Sequence, residues 1–294
     1  PVSVINLRQR VFRERISALG LYPLTNIQRL EFSAGYTHLW YRTERRQVYL
    51  NEFGQPFKRD ISDAEGAEPS PSNLFNASAA YVEDNSIATF TGPIDGHRMR
   101  LEVEPTTGSL TFVQALADYR KYFYMKPVTL GFRALHSGRY FQDSDDNRLN
   151  PSFIGNPRLI RGYSLNTFSA QECSDSPGDG CPEYERLFGS RIGVANVELR
   201  LPVLGIEELA LFRSRMFPST LSAFFDAGIA WSNDRAPDFK WTTDESSANV
   251  SVFSTGLSMR VNILGYLITE FYYAFPLQRP DKTGVFGFQI SPGW

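Results

Sequence analysis

The stretch that decides the fold is RIGVANVELRLPV, residues 191–203. Asn196, Glu198 and Arg200 fall on one face of this stretch, and aliphatic residues lie between them on the other. A period of two is the pattern of a β-strand with two chemically different faces. The stretch therefore predicts a strand whose polar face meets water or other charged groups.

Three further stretches repeat the alternation: HRMRLEVEP (97–105), LSAFFDAGIAW (221–231) and GLSMRVNI (256–263). In each, one face is aliphatic or aromatic and the other carries charged, polar or small residues. Asp226 and Arg260 lie on the polar faces of the last two. Alternation of this kind dominates the chain, so the fold class is all-β.

Alternating segments bounded by turn residues predict eleven strands, and the N-terminal residues leave room for a twelfth. The predicted strands cover residues 11–23, 28–42, 76–86, 97–107, 109–125, 127–141, 190–203, 219–232, 249–263, 266–277 and 284–292. Their connectors mostly alternate between short turns and long polar loops, the long ones at 43–75, 142–189 and 233–248. Short turns at one end and long loops at the other are typical of an outer-membrane barrel.

The composition excludes several classes of protein. The 294 residues carry a net charge of -2, which argues against a nucleic-acid binder. No run approaches the roughly 18 apolar residues of a membrane-spanning helix. The 23 Phe, 14 Tyr and 4 Trp suit the aromatic girdles of a membrane barrel. A soluble β-sandwich has the same period, with its charged face outside, and the period alone does not choose between the two.

The motif that identifies a family lies in GNPRLIRGY, residues 155–163. Followed by the strands at 189–203, 224–231 and 256–280, it resembles the C-terminal half of the BamA/TamA barrel superfamily, also called the bacterial surface antigen family. The hallmark tetrapeptide of that family is here Ile160, Arg161, Gly162 and Tyr163. The resemblance extends more loosely over residues 20 to 294.

The resemblance implies a transmembrane antiparallel β-barrel with a long loop inserted into its lumen. The family normally uses sixteen strands, and eleven or twelve are readable here. We therefore expect residues 1–294 to be a single barrel domain that lacks upstream strands and a periplasmic N-terminal domain. The first residues contain neither an initiator Met nor a signal peptide.

The motif predicts an ion pair in the lumen. An unpartnered buried guanidinium is costly, and its planar fork suits carboxylates. By similarity to the family, Arg161 bridges to Glu198 or Asp226 or both. The alternative is that Arg161 lies on a solvated loop and the two carboxylates balance Arg200 and Arg260.

Glycines and an aromatic residue around the motif have expected packing roles. Gly162 lets the backbone approach the barrel wall closely, and Tyr163 packs its ring there while its hydroxyl stays hydrogen-bonded. Gly228, on the lumen side with Gly256, either makes room for the inserted loop or marks a kink or bulge of its strand.

Two other features point to the outer membrane. Cys173 and Cys181 flank the loop CSDSPGDGC, a spacing that suits a local disulfide in an oxidising compartment; two free thiols are the alternative. The C-terminal stretch FGFQISPGW places Phe286, Phe288 and Ile290 on the lipid side and Trp294 last, as a signal for the assembly machinery. Pro292 and Gly293 depart from the usual spacing of that signal.

No catalytic, metal or cofactor motif is present: HExxH, GxSxG, GxxxxGK[ST] and GxGxxG are all missing. We read His38, His97 and His136 as ordinary strand residues. DSDDN, residues 143–147, is a solvated turn or, alternatively, an external calcium loop. We expect a protein that is not an enzyme and has no cofactor.

The resemblance implies a function in the bacterial outer membrane. We expect insertion and assembly of outer-membrane proteins, or protein translocation. The expected partners are the lipid bilayer, unfolded outer-membrane or secreted clients and periplasmic accessory proteins, with no nucleic acid. The alternatives are a membrane anchor or secretion pore for a missing lipase or β-propeller domain, and a soluble β-sandwich binding module.

Overall fold

A computed structural model describes residues 2–290 except 52, 54, 65–67, 170, 171, 173–180, 215, 235, 240–249, 266, 280 and 281. Within these residues, strands dominate the chain. They are β1 (Val2–Pro23), β2 (Gln28–Leu50), β3 (Pro56–Asp63), β4 (Ser72–Asp84), β5 (Ile87–Thr89), β6 (Gly92–Gly108), β7 (Phe112–Met125), β8 (Val128–Tyr140), β9 (Ser152–Phe153), β10 (Phe188–Gly189), β11 (Arg191–Gly205), β12 (Phe212–Arg213), β13 (Ser219–Trp231), β14 (Val252–Ile263), β15 (Leu267–Pro276) and β16 (Val285–Ile290).

Eleven long strands form one antiparallel meander in the order β1-β2-β4-β6-β7-β8-β11-β13-β14-β15-β16. Each of them corresponds to one of the predicted strands. β3, β5 and β12 extend this sheet at its margins, whereas β9 and β10 form a separate two-stranded pair inside the β8–β11 connection. The all-β class predicted from alternation and the barrel implied by the family resemblance are both confirmed.

The two faces of the sheet are inverted relative to a soluble protein. On the inward face, Glu198, Asp226 and Glu270 are fully buried. On the outward face, large apolar side chains such as Leu257 and Phe271 are exposed. A soluble sandwich would bury the apolar face, whereas a membrane barrel turns it toward lipid. The strands are therefore those of a transmembrane barrel.

The structure corrects two boundaries and adds one short strand. Residues 43–75 are not one long loop, because β2 continues to Leu50 and β3 pairs back against it from Glu44 to Leu50. The N-terminal residues add no separate strand, since β1 is continuous from Val2. The 204–218 connector contains β12, which runs parallel to the end of β11.

The sheet curls so that its early turns reach its late strands across the interior. In the β4–β6 connection, the Phe90 carbonyl oxygen accepts a 2.6 Å hydrogen bond from Asn262. The Thr91 hydroxyl lies 2.7 Å from that of Thr220. These contacts hold the β4–β6 connection against β13 and β14 at the short-turn end of the interior.

Helical structure is minor in the described chain: a 3-10 turn at Leu165–Thr167 and one short helix, α1 (Pro182–Glu185). Neither these nor any other helical stretch among the described residues has the length and apolarity to cross a bilayer.

Candidate functional site

The loop between β8 and β11 packs its middle against the inward face of the late strands. Ile160 and Tyr163 are fully buried in a cluster with Val194 of β11 and Val252 of β14. Burial of apolar side chains of this size contributes about 1.5–3 kcal/mol each. The hydrophobic cluster therefore holds the two residues that flank Arg161 and Gly162 in the sequence.

Arg161 binds Asp226 of β13 in a fork. Its Nε donates to Asp226 Oδ2 at 2.8 Å, and its Nη2 donates to Oδ1 at 2.7 Å. The backbone N–H of Arg161 donates to the same Oδ2 at 3.1 Å. Bidentate pairs of this kind fix geometry as well as charge. The loop is thus fastened to β13 by both side chain and backbone.

The same guanidinium reaches two more strands. Arg161 Nη1 donates to Glu198 Oε1 of β11 at 2.8 Å and to Glu270 Oε1 of β15 at 3.1 Å. Its Cζ lies 3.6 Å from the ring centroid of Phe224. The Arg161 side chain is only 3% exposed, and the carboxylates of Glu198 and Glu270 are fully buried. One loop residue therefore joins three strands of the wall.

Arg200 and Arg260 complete the buried network. Arg200 Nε donates to Glu198 at 2.9 Å, and Arg260 Nη2 donates to both oxygens of Glu198 at 3.0 Å. Arg260 Nε also donates to Glu270 at 3.2 Å. The buried Arg161 excludes the solvated loop of the alternative in the sequence analysis, although Glu198 does bind the wall arginines Arg200 and Arg260 as well. With Asp226, three guanidinium groups face three carboxylates.

Glu270 was not among the predicted site residues. It is the one charged residue of β15, in LITEFYYAFP. It lies directly opposite Arg260 in the β14–β15 register. A lone acidic residue on an inward strand position, two strands after Asp226, is the signal that would have found it.

Gly162 packs against β14 and β15. Its φ is +89°, a region that favours glycine. A Cβ added there would lie 3.2 Å from the Cβ of Ala274 and 3.4 Å from Ser254 Oγ. Glycine is therefore favoured at position 162 both by its backbone conformation and by the lack of space for a side chain.

The Tyr163 hydroxyl ties the loop to the β15–β16 connection. It donates toward the Phe253 carbonyl oxygen at 3.0 Å and the Gln278 Oε1 at 3.1 Å. The Gln278 backbone N–H donates back to the same hydroxyl at 3.2 Å. The ring is buried and the hydroxyl hydrogen-bonded, the arrangement favourable for a buried tyrosine.

Gly228 faces the inserted loop. A Cβ added there would overlap Cδ1 of Ile160, and the register of β13 is continuous through Gly228. Close approach of the loop, and not a bulge, is the feature seen at this position. At Gly256 the nearest atoms belong to Tyr273, Phe224 and Ala274 instead of the loop.

A second arginine, which sequence reasoning missed, holds the loop from the other side. Arg279, in the β15–β16 connection, donates to the Gly162 carbonyl oxygen at 2.7 Å and to the Thr167 carbonyl oxygen at 2.8 Å. Its Nη2 lies 2.8 Å from Glu172 Oε2. Burial opposes ionisation of Glu172, but hydrogen bonds from Ser169 and Arg279 outweigh it and lower the Glu172 pKa.

The network also touches the last strand. Gln289 of β16 donates from Nε2 to Glu270 Oε2 at 2.9 Å. Phe286, Phe288 and Ile290 of β16 point outward and are exposed, with Phe286 67% exposed. Trp294, the last residue of the predicted signal, lies outside the described residues.

The predicted disulfide stays a prediction, because Cys173 lies outside the described residues while Cys181, just before α1, is half-buried. In the 143–147 stretch, Asp146 binds Arg148 at 2.8 Å and Asp143 accepts the Thr111 N–H at 2.6 Å. Within the described chain, no group of three or more His, Cys, Asp or Glu is arranged to hold a metal.

The three histidines all lie on long strands. The His38 ring nitrogen is 2.8 Å from Asn73 Oδ1, and that of His97 is 3.0 Å from Glu83. His136 bonds to the Tyr140 hydroxyl and stacks on Trp231.

An antiparallel meander with an apolar outside, a charged inside and an arginine loop fastened to the inner wall defines an outer-membrane-type β-barrel. The chain belongs to the Omp85 superfamily: the model of the Omp85 superfamily domain matches residues 12–294. A comparison with curated proteins found no significant match. The family comprises outer-membrane barrels that insert or translocate proteins and are not enzymes.

Proposed function

We propose that this barrel acts in the insertion and assembly of outer-membrane proteins or in the translocation of proteins across that membrane. Its partners are then the bilayer, unfolded client proteins and periplasmic accessory proteins, and residues 1–294 act as one barrel domain. The observation that carries the proposal is the Arg161 network, because it links the inserted loop to β11, β13 and β15 at once.

The network also connects the loop to β16 through hydrogen bonds. Arg161 and Gln289 bind the two oxygens of the same carboxylate, Glu270. A client strand that enters a membrane must have its backbone groups paired, and a strand edge of the barrel can supply that pairing. Loop position and the inner lining of β16 are therefore coupled through one side chain.

Reconstituted activity tests the proposal. The full protein that contains this chain is placed in vesicles, and the folding of an unfolded barrel client is followed by its protease resistance. Arg161→Ala should slow client insertion, whereas Arg158→Ala, an exposed neighbour on the same loop, should not. Equal rates for wild type and Arg161→Ala would contradict the proposed role of the network.

The second candidate is an anchor or secretion pore for another domain. The anchor is favoured by the β4–β6 connection, which Asn262 and Thr220 hold across the short-turn end of the interior. The intact mass and N-terminal sequence of the protein from its native membrane separate the two. Upstream periplasmic repeats would support insertion or translocation, and an upstream lipase or propeller would support the anchor.

A further inference from the structure

An arginine cluster lies on the outward face of the first two strands, away from the Arg161 network. Arg8 and Arg10 of β1 and Arg42 and Arg46 of β2 all point to this side. We call these four residues the outer arginine cluster. Cross-strand partners share a face, and Arg10 lies directly opposite Arg42.

The side on which the cluster lies follows from the stacked ring pair beside it. Phe12 and Trp40 are opposite each other, with ring centroids 3.9 Å apart. Leu39 and Tyr41, the neighbours of Trp40 in β2, are buried and face the interior. Because successive residues of a strand face opposite sides, Trp40 faces outward. Phe12, Trp40 and the cluster therefore face outward.

The height of the cluster matches a membrane boundary. Tyr22 lies on the outward face at the short-turn end of β1, ten residues from Phe12. Ten residues span about 33 Å along a strand, or about 25 Å across a bilayer at the usual tilt of barrel strands. Phe12 and Trp40 then lie at the interface on the long-loop side, and the arginines begin one residue pair beyond it.

The cluster carries more positive charge than its neighbours neutralise. Two carboxylates share its face, Glu44, which binds Arg10 at 3.0 Å, and Asp63 of β3, which binds Arg42 at 3.1 Å. Four arginines against two carboxylates leave two positive charges in excess. Within the described part of the chain, the Arg8 side chain makes no hydrogen bond or ion pair, and Glu44, which lies opposite it, is bound by Arg10 and Arg46. Glu14 lies on the bilayer side of Phe12, separated from the arginines by the stacked rings.

One ion pair of the cluster, between Arg42 and Asp63, is open to exchange. The side chains of Arg42 and Asp63 are 52% and 54% exposed. Exposed pairs of this kind contribute at most about 1 kcal/mol, so a better ligand can replace the carboxylate. Phosphate suits arginine, because the planar fork donates to two of its oxygens.

We propose that the outer arginine cluster is a binding site for phosphate groups of lipid headgroups in the leaflet on the long-loop side. Neighbouring strands lie about 4.8 Å apart, and successive outward residues of one strand lie about 6.7 Å apart. The four guanidinium groups thus cover a patch wide enough for a headgroup with two phosphates. Acyl chains of the same lipid lie along Ile16 and its outward neighbours, below the stacked rings.

A matched pair of double variants tests the site. Arg8→Gln with Arg10→Gln removes two charges from the outward face, and Arg13→Gln with Arg45→Gln removes two from the inward face of the same strands. The folded protein in detergent micelles is titrated at low ionic strength with diphosphoryl lipid A, with fully dephosphorylated lipid A and with inorganic phosphate.

The outward double variant should bind diphosphoryl lipid A roughly thirtyfold more weakly than wild type, and Arg8→Gln alone roughly fivefold. The inward double variant should bind as wild type does, and dephosphorylated lipid A should bind weakly to all. Equal losses in both double variants, or no loss in the outward one, would overturn the site. Inorganic phosphate binding as tightly as the lipid would overturn the choice of a lipid ligand. Arg8→Gln breaks no ion pair, so it keeps the test valid if the double variant fails to fold.

Discussion

Two inward-facing regions of this barrel both pair arginines with carboxylates but differ in their exposure to water. On β2, β4 and β6, Arg100 binds Glu31 and Glu102, each at 2.8 Å, with the Arg100 side chain 35% exposed. In the second region, Arg161 of the loop binds carboxylates of β11, β13 and β15, and these side chains are almost completely buried. The difference is the inserted loop, which covers the second region and excludes water from it.

Alternation alone therefore does not determine how much the ion pairs of a charged inner face contribute to the free energy of unfolding. Exposed ion pairs contribute about 0–1 kcal/mol. Removing one partner of a buried pair costs about 3–5 kcal/mol, because the other charge is left without compensation. The covered region should therefore control the stability of the loop and wall, and the open region should not.

The largest expected effect is at Arg161. Arg161→Gln leaves Glu198, Asp226 and Glu270 buried with one cation fewer, and we expect the free energy of unfolding to fall by about 3–5 kcal/mol. Urea titration of the barrel in micelles measures this change. Arg158→Gln, on the exposed side of the same loop, is the control and should change stability by less than about 0.5 kcal/mol. Equal effects of the two would remove the distinction between the regions.

A packing change at Gly228 should have the next largest effect. Gly228→Ala places a methyl group where Ile160 Cδ1 lies, and overpacking of this kind costs about 1–3 kcal/mol. Ile160→Val removes that Cδ1, so the double variant should recover part of the loss. If the loss of unfolding free energy in the double variant equals or exceeds the sum of the two single losses, the clash is not the cause.

A smaller effect, confined to acid, is expected at Glu172. Its pKa is lowered in the folded protein, so its stabilising contribution is complete above the ordinary glutamate value of about 4.3 and is lost as pH falls through the lowered value. Amide exchange of Thr167, which donates to the Ser164 carbonyl oxygen, should accelerate below that pH. Arg279→Gln should make the exchange rate less dependent on pH in this range. A pH profile that Arg279→Gln leaves unchanged would show that the pair does not hold this turn.

The smallest effect is expected in the open region. Arg100→Gln breaks its pairs with Glu31 and Glu102, which are 13% and 21% exposed and so keep contact with water; the unfolding free energy should change by at most about 1 kcal/mol. The change should shrink further in high salt, because exposed pairs are screened. A loss as large as that of Arg161→Gln would mean that this region is also sealed from water.

Sequence reasoning could predict the wall better than the connections. Eleven strands follow from alternation, because every residue of a barrel strand faces either lipid or lumen. β3 was missed because its sequence, PFKRDISD, lies within a polar stretch and forms a strand only by pairing with the extension of β2.

The site residues on the wall were also easier to predict from the sequence than those whose contacts depend on the loop. Glu198 and Asp226 could be named from their inward positions beside the arginine motif. Glu270 and Arg279 could not be assigned with equal ease, because their contacts with the loop span 109 and 117 residues of sequence. Such contacts depend on the path of the loop through the lumen, which no local pattern contains.

A double-variant cycle between Arg161 and Asp226 tests whether this pair fastens the inserted loop to the barrel wall. Unfolding free energies are measured for Arg161→Gln, Asp226→Asn and the combined variant under the same conditions. We expect a coupling energy of about 2–3 kcal/mol, because the second change removes a charge whose partner the first change has already removed. Additive losses, with a coupling energy near zero, would contradict the claim that this pair fastens the inserted loop to the barrel wall.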